Sequence, residues 1–412
     1  MKILLQMCHV SLVNASGGAE KVLCNMANAF SRRGHSVAVV CNDPALGRPF
    51  FPLDNEVAFH NLHCPRTKHP FHRKLHRALL RPLGDRFSHP CFADPILKMK
   101  NREISRKYLP LIEEFVPDVI VAFFYDDLKT LVDINVCDQV PVILMHHGDH
   151  KFLSRSTLKK RHVRDALEKC HCLQFLIAEF REQFTAIFPH KTTVVIPNAV
   201  PQFEEHETVD WNRERERYRI LMLARLDAVQ KQQHVLIKAF AKIANMYPQW
   251  QVDLYGTSNS DEYRQRLEGM IAELHLEGRV FLRGTTTEPQ ELLKQGDIFA
   301  LSSSFEGFPL ALTEAMAVGL PCIGLKSASG VNELIVDGEN GRLSQDSPDD
   351  FAQCLKELME CKELRMKYGH RAREMMKRYV PEKVWETWEN LLLETIGTEP
   401  LKSGLFSDKI AS

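Results

Sequence analysis

Two carboxylates with seven residues between them, Glu306 and Glu314, lie in the segment SSFEGFPLALTEAMAVGLP. Pro309 suits the first turn of a helix, where its missing N–H costs nothing. The residues that follow, LALTEAMAV, are strong helix formers, and Gly319 with Pro321 is a typical helix end. The segment therefore predicts a helix with one carboxylate just before it and a second one inside it.

The start of this predicted helix is suited to an anion. Gly307 would let the backbone approach a ligand closely, and the free N–H groups of Phe308 and Leu310 would add to the helix dipole. A carboxylate is a poor neighbour for an anion unless the ligand also carries hydroxyl groups. A nucleotide sugar combines both, because its diphosphate can face the helix start while Glu306 accepts from sugar hydroxyls and Glu314 from ribose hydroxyls. The segment thus predicts a nucleotide-sugar site.

The elements that must position these residues alternate between strands and helices. KILLQMC predicts a strand, SLVNASGG a loop, AEKVLCNMANAFSRR a helix that Gly34 ends, and SVAVVCN a second strand. Further buried strands are predicted at DVIVAFF, PVILMHH, CLQFLIA and TTVVIPN. This order is typical of a doubly wound α/β domain. The apolar face of the first helix comprises Val22, Leu23, Met26, Ala27 and Phe30.

A second α/β series follows a polar, charged segment that begins after Asn198. RILMLARL predicts a strand, QHVLIKAFAKIANMY a helix, and WQVDLYG, RVFLRG, DIFALSS and LPCIGL further strands. We therefore predict two Rossmann-like doubly wound domains, residues 1–198 and 199–378, that face each other across a cleft. Residues 379–412 are predicted to be a helical tail that packs back on the first domain. The apolar residues proposed for that contact are Trp385, Trp388, Leu392 and Leu393.

Composition excludes several classes of protein. The chain has 412 residues, of which 44% are apolar and 26% charged, which is typical of a soluble globular enzyme. Its 53 basic and 53 acidic residues argue against nucleic-acid binding. The eleven cysteines include no C-x-x-C pair, which favours buried free thiols in a reducing compartment. No run approaches the roughly 18 to 20 apolar residues that span a bilayer. We expect a cytoplasmic protein.

Several segments resemble the retaining glycosyltransferases of family 4, which have the GT-B fold. FEGFPLALTEAMAVGLP is similar to the Glu-seven-Glu element of that family, and VVIPNAV to the segment that opens its C-terminal domain. ARLDAVQKQQHVLIKAF resembles its Gly-Arg-Leu…Lys-Gly strand-loop-helix, SGVNELIVDGENGRL the loop after its donor helix, and SGGAEKVL its N-terminal Gly-Gly loop. The similarity is continuous over residues 218–343 and patchy before them.

The resemblance implies a function. Such an enzyme moves a hexosyl or N-acetylhexosaminyl group, with retention of anomeric configuration, from a nucleotide-diphosphate sugar to an acceptor. A UDP-sugar is preferred over a GDP- or ADP-sugar. The first domain would bind the acceptor, a glycan or a lipid-linked precursor of a bacterial surface polysaccharide or lipopolysaccharide, and the second domain would bind the donor.

The resemblance places the diphosphate-binding pair of the family on Arg225 and Lys231. Two fixed cations would stabilise the negative charge that develops on the departing diphosphate as the glycosidic bond breaks. Ala224 and Gln232 stand where the family commonly has glycine, and one extra residue lies between Arg225 and Lys231. Because these cations take the role of a divalent ion, and no D-x-D motif occurs, we expect no metal and no cofactor.

A histidine at the end of PVILMHH is implied to contact the donor sugar near the reaction centre. His147 is the preferred position and His146 the alternative, since successive strand residues point to opposite faces. Asp149 and His150, which follow, are expected to contact the acceptor.

The complete predicted site adds a glycine pair after the first strand, where the backbone is open for a donor phosphate or the acceptor. The catalytic residues are predicted to be His147, Arg225, Lys231 and Glu306. The donor site is predicted to comprise Gly17, Gly18, Arg225, Lys231, Glu306, Gly307, Phe308, Pro309, Leu310 and Glu314.

The same residues leave two alternatives open. A nucleotide-sugar epimerase of the same fold would need acid and base carboxylates in the first domain, where the loop after PVILM supplies mainly histidines. A regulator that binds a sugar nucleotide without catalysis would not need the cation pair and the carboxylate pair intact. A dehydrogenase is poorly supported, because no G-x-G-x-x-G follows the first strand.

One segment is strongly basic. Residues 61–110 contain 12 Lys or Arg and 3 Asp or Glu. Leu75, Leu79 and Leu83 are four residues apart, so a helix would carry them on one side with basic residues around them. Such a helix can lie on an anionic membrane surface or bind an acidic glycan, and a solvated face over an ordinary core stripe is the alternative. We expect residues 66–86 to hold the enzyme peripherally on the inner face of the cell membrane.

Overall fold

The computed structural model describes most of the chain, in six stretches: 1–13, 15–63, 95–148, 154–158, 160–257 and 261–397. These residues form two compact units. The first unit combines Met1–Ile196 with the described residues from Trp385 onwards, and the second is Pro197–Val384.

A seven-stranded parallel sheet forms the centre of the first unit. Its strands lie in the order β3-β2-β1-β4-β5-β6-β7. The inner strands are apolar and buried along their length, as expected for a parallel sheet that is covered on both faces. The strands are β1 (Lys2–Met7), β2 (Ser36–Cys41), β3 (Ala58–Asn61), β4 (Val119–Ala122), β5 (Val142–His146), β6 (Cys172–Phe175) and β7 (Thr193–Val195).

Helices connect these strands. The predicted apolar face of the first helix is confirmed, since all five of its residues are buried, and Gly34 follows the helix with φ +86°. The helices are α1 (Gly18–Arg32), α2 (Pro95–Phe115), α3 (Tyr125–Asp133), α4 (Arg155–Leu158), α5 (Arg161–Lys169) and α6 (Ala178–Thr185).

The second unit contains a six-stranded parallel sheet in the order β10-β9-β8-β11-β12-β13. Its strands are β8 (Tyr218–Leu223), β9 (Trp250–Tyr255), β10 (Val280–Gly284), β11 (Ile298–Leu301), β12 (Cys322–Leu325) and β13 (Gly341–Ser344). Its helices are α7 (Gln233–Ala241), α8 (Asp261–Glu273), α9 (Pro289–Lys294), α10 (Leu310–Ala317), α11 (Ser329–Asn332), α12 (Pro348–Glu360) and α13 (Lys362–Met376). Each unit is therefore a doubly wound α/β domain, and this part of the prediction is confirmed.

One predicted helix is shorter than expected. The segment QHVLIKAFAKIANMY was predicted to be helical throughout, but α7 ends at Ala241 and a short 3-10 turn covers Ala244–Met246. Pro248 disfavours the helical conformation at Tyr247, so the chain leaves the helix before the proline and enters β9.

The last helix, α14 (Pro381–Gly397), packs on α1 in the first unit. The ring centroids of Phe30 and Trp385 lie 6.1 Å apart, and Trp388 is fully buried. Glu389 accepts hydrogen bonds from His35 (2.6 Å) and Arg33 (3.2 Å). The tail segment thus belongs to the same core as the N-terminal helix.

Two further expectations concern the cysteines and the membrane. All nine cysteines in the described stretches are free, and eight of them are buried, as expected for reduced thiols; Cys64 and Cys91 lie outside these stretches. No helix in the described stretches has the length and apolar character needed to cross a bilayer.

Candidate active site

Asp227 organises the loop after β8, residues 224–232. Its Oδ1 atom accepts the backbone N–H groups of Val229 (2.9 Å) and Gln230 (2.8 Å). Arg225 Nη2 lies 3.4 Å from the other carboxylate oxygen. Burial raises the pKa of Asp227, but the two N–H donors and the guanidinium outweigh burial and hold the pKa below its ordinary value. The carboxylate is therefore ionised at neutral pH and fixes the loop beside Arg225.

Gln233, the first residue of α7, closes this loop from the helix side. Its fully buried side chain accepts the N–H of Asp227 (3.2 Å) and donates to the carbonyl of Arg225 (2.9 Å). Gln232 precedes it in the left-handed region, with φ +48°. The family commonly has glycine at this position, which is the residue that takes this conformation most easily.

Two serines after β11 fasten the loop to the segment that carries Glu306. Ser302 Oγ donates to the carbonyl of Lys231 (3.1 Å). Ser304 donates its N–H to the carbonyl of Gln230 (2.8 Å) and its hydroxyl to that of Val229 (2.9 Å). Two segments about 75 residues apart in the chain are thereby held in one fixed arrangement.

These hydrogen bonds bring Lys231 and Glu306 together as an ion pair. Nζ and Oε1 are 2.5 Å apart, and the side chains are 18% and 7% exposed. We predicted separate partners for these residues, the diphosphate for Lys231 and the sugar for Glu306, and did not predict their contact. The ammonium group places a positive charge directly against the carboxylate at the proposed anion site, and it keeps further N–H donors for a ligand. Arg225 is half exposed.

The helix that follows is α10, which begins at Leu310. Pro309 was predicted in the first turn, but it is the N-cap residue, with φ −71° and ψ 107°, and its carbonyl accepts the N–H of Thr313 (3.1 Å). The extended ψ, which is typical of an N-cap, places the proline one residue ahead of the helix. Phe308 therefore lies outside the helix, with its ring edge-on to Tyr379 at 5.1 Å. Leu310 provides the first N–H of the helix.

Two glycines hold the backbone around this site. Gly330 donates its N–H to the carbonyl of Glu306 (3.1 Å), and a Cβ atom at Gly330 would meet the carbonyl oxygen of Gly307 at 2.3 Å. Gly256, after β9, has φ +147°, and a Cβ atom there would meet the carbonyl oxygen of Ala224 at 2.1 Å. Neither close approach was predicted. Glu314 lies half-buried in α10.

The two histidines of PVILMHH have different surroundings. His146 ends β5 and is buried, with its ring centroid 5.4 Å from those of both Phe175 and Phe180. His147 follows the strand and stacks on Phe123, with 5.3 Å between centroids and 21° between ring planes. The two imidazoles therefore contact different aromatic side chains.

The environment of His147 decides its charge. Burial, and to a smaller extent the neighbouring His146, lowers the pKa of His147 to about 3. Its Nε2 atom is buried and has no hydrogen-bond partner among the described residues. At neutral pH the ring is therefore uncharged, so it can exchange hydrogen bonds with a ligand but supplies no positive charge.

The glycine pair of the first unit lies at the start of α1. Gly17 is the N-cap residue, Gly18 begins the helix, and both are exposed. The carboxylate of Glu20 lies against Gly17, where a Cβ atom would meet Oε2 at 2.3 Å. A side chain at Gly17 would displace this buried carboxylate.

Three predictions cannot be placed. Asp149, His150 and residues 66–86 lie outside the described residues. Elsewhere, over the described part of the chain, no cluster of three or more His, Cys, Asp or Glu side chains could hold a metal ion.

Residues 203–375 match the family model described as glycosyl transferases group 1. This match covers 173 residues, 42% of the chain. Over the longer chain, an uncharacterized glycosyltransferase of Haemophilus influenzae is 24% identical across 387 residues, which cover 92% of this chain and 97% of the relative. The lipopolysaccharide 1,6-galactosyltransferase of Salmonella typhimurium is 32% identical across 136 residues, 32% of this chain and 36% of that enzyme.

The fold has counterparts among solved structures. The structure of Anabaena HepE in complex with UDP and glucose superimposes with a TM-score of 0.68 at 19% identity, covering 95% of this chain and 99% of that one. At this identity the likeness shows the fold, and two parallel-sheet α/β units of this kind form the GT-B fold of glycosyltransferases. Family, relatives and fold together support a glycosyltransferase. The group 1 segment contains Arg225, Lys231, Glu306 and Glu314.

Proposed function

We propose that this protein is a retaining, metal-independent glycosyltransferase of family 4 that transfers a hexosyl or N-acetylhexosaminyl group from a UDP-sugar. The acceptor is a glycan or lipid-linked precursor of a surface polysaccharide or lipopolysaccharide. The observation that carries the proposal is the Lys231–Glu306 pair, which lies just ahead of α10 and is held there by the loop of Asp227. Relatives that include a lipopolysaccharide galactosyltransferase support the acceptor class, and the UDP bound to HepE supports the donor class.

The cations serve the leaving group. In this proposal Lys231 and Arg225 bind the diphosphate oxygens, whose negative charge grows as the glycosidic bond breaks. Lys231 suits this role because Glu306 and the fixed loop hold its ammonium before the donor binds, so little side-chain entropy remains to be lost. Arg225 is half exposed, so its guanidinium keeps donors available to the second phosphate.

The carboxylates and the backbone orient the donor. Glu306 accepts hydrogen bonds from sugar hydroxyls and Glu314 from the ribose. The backbone from Gly307 to Leu310 lines the diphosphate, and Leu310 offers the first N–H of α10 to it. Gly17 and Gly18 approach the donor through their backbone.

The remaining groups act on the sugar and the acceptor. The neutral imidazole of His147 forms a hydrogen bond with the donor sugar and contributes no positive charge. Asp149 and His150 contact the acceptor, whose hydroxyl attacks from the face that the diphosphate leaves, and a departing phosphate oxygen takes its proton. These steps require neither a metal nor a cofactor.

Donor binding tests the proposal. Calorimetry with UDP-, GDP- and ADP-sugars, with EDTA present, will find one nucleotide class that binds, and Lys231→Ala will weaken that binding roughly 10- to 100-fold because one phosphate cation is lost. Lys242→Ala is the matched control, since Lys242 pairs with Asp349 on the surface of the same unit. Equal affinity of wild type and Lys231→Ala, or no binding of any nucleotide sugar, would refute the proposed donor site.

The proposed membrane contact has its own test. Changing the basic residues Arg73, Lys74, Arg77 and Arg81 to serine will weaken binding to anionic liposomes by up to about 1,000-fold in a co-sedimentation assay, because each cation near an anionic surface contributes about 1 kcal/mol. Neutral liposomes are the control. Unchanged sedimentation of the variant would contradict the membrane contact and leave the donor site unaffected.

A further inference from the structure

We propose that His146 is a positioning residue for His147, and that it acts through one hydrogen bond, which its Nδ1 atom accepts from the backbone N–H of Gly148 at 3.3 Å. This inference rests on the proposed function, in which the imidazole of His147 contacts the donor sugar. The two adjacent histidines therefore have different roles. The ring of His147 contacts the ligand, and the ring of His146 fixes the turn that orients His147.

The ring of His146 is held firmly by its neighbours. His146 is the last residue of β5, where it pairs with Phe175 of β6. The rings of Phe175 and Phe180 flank its imidazole, and the side chain is buried. An acceptor atom on a ring held in this way is a fixed point for the backbone that follows.

The chain makes a tight turn after His147. Gly148 is buried and has φ +87°, so the chain turns sharply directly after His147. A side-chain acceptor that binds the N–H two residues later is the geometry of an Asx-turn, with an imidazole nitrogen in place of the Asn oxygen. The hydrogen bond between Gly148 and His146 therefore closes a turn that contains His147 and fixes its backbone.

The same hydrogen bond determines which nitrogen of His146 carries the proton. Nδ1 can accept a hydrogen bond only when it carries no proton, so His146 is neutral here and its proton is on Nε2. The tautomer of His146 is thus set by the turn that it stabilises.

The turn determines the position of the His147 ring. This ring contacts those of Phe123 and Phe124, with 5.3 Å between ring centroids in each case, and its Nε2 atom is buried without a partner within the described stretches. The imidazole of His147 can present its Nε2 atom to a ligand in a fixed direction only if the backbone of His147 is held in place. The hydrogen bond of His146 holds it.

Asn and Gln substitutions can replace the two histidine nitrogens separately. The side-chain oxygen of Asn occupies the position of histidine Nδ1, and the side-chain oxygen of Gln occupies the position of histidine Nε2. We expect His146→Asn to keep turnover within about threefold of wild type and His146→Gln to lose roughly tenfold or more in kcat at nearly unchanged donor KM, as expected for one lost orienting hydrogen bond. At position 147 the order will reverse, with Gln better tolerated than Asn.

Two readouts do not need turnover. In wild type, nitrogen-15 spectra of labelled histidine will show the His146 proton on Nε2. The ring protons of His147, which Phe123 shifts, will keep their wild-type positions in His146→Asn and move in His146→Gln. Equal effects of Asn and Gln at position 146, or a proton on Nδ1, would overturn the inference. If these spectra behave as expected while no nucleotide sugar is turned over, the proposed function fails and the positioning of His147 stands.

Discussion

Replacing Gly256 by alanine will destabilise the second unit by roughly 3 to 5 kcal/mol and will weaken donor binding with it. The new Cβ atom would lie 2.1 Å from the carbonyl oxygen of Ala224 and 3.1 Å from the nitrogen of Arg225. Both are backbone atoms, so no flexible side chain can move aside. The φ of +147° adds the strain that an L-residue meets in this region. Because Ala224 must shift, Arg225 shifts with it.

The measurement is urea unfolding together with calorimetric donor binding. Gly269→Ala is the matched control, because Gly269 lies within α8 and a Cβ atom there meets nothing within 4 Å. That control will be neutral or more stable by about 0.5 to 1 kcal/mol, since alanine favours a helix over glycine. If the two variants were equally stable, the close approach at Ala224 would be wrong.

Acidification will destabilise the first unit through His147. The folded state holds the pKa of His147 near 3, whereas an unfolded histidine has a pKa of about 6.5. Between these values the unfolded chain binds a proton that the folded unit refuses, so the unfolding free energy falls as the pH drops. At about 1.4 kcal/mol per pH unit, the loss from pH 6.5 to pH 4.5 is roughly 3 kcal/mol. Above pH 6.5 this contribution is fully present.

A variant without the imidazole isolates this effect from the other groups that titrate in acid. His147→Gln cannot take up the proton, so its unfolding free energy will fall less than that of wild type over the same pH range. Urea titrations followed by tryptophan fluorescence measure both proteins; Trp385 and Trp388 report on the first unit, and Trp211 and Trp250 on the second. An equal fall in wild type and variant would mean that His147 protonates normally. Catalysis, in contrast, will not show a titration of His147 between pH 5 and pH 8.

The fold could be predicted because its signals are local. The α1 face from Val22 to Phe30 and the buried strands are read directly from short periodic runs. The edge strands β3 and β13 were not predicted, because AFHN and GRLS are short, partly exposed and lack an apolar run. An edge strand forms because it pairs with the adjacent strand, and the local sequence pattern does not show which segment that is.

The candidate site was predicted as a set of residues and not as an arrangement. Helix and glycine signals mark the region of Glu306, and the family resemblance marks Lys231. Their ion pair depends on Ser302, Asp227 and Gln233, which are polar residues of a kind common in any loop. A single sequence shows no sign that residues 75 positions apart will meet. The one available signal was the run of serines at the carboxyl end of β11, where ligands of such sheets bind.

The packing of α14 on α1 has a consequence for synthesis on the ribosome. The second unit is one continuous stretch, Pro197–Val384, so it can fold as soon as it has emerged. The first unit must wait for Trp385 to pack against Phe30. At about 5 to 20 residues per second, translation from Phe30 to Trp385 takes roughly 20 to 70 s. During it the apolar face of α1 lacks its final cover, so the part of the protein that is made first is the part that completes its core last.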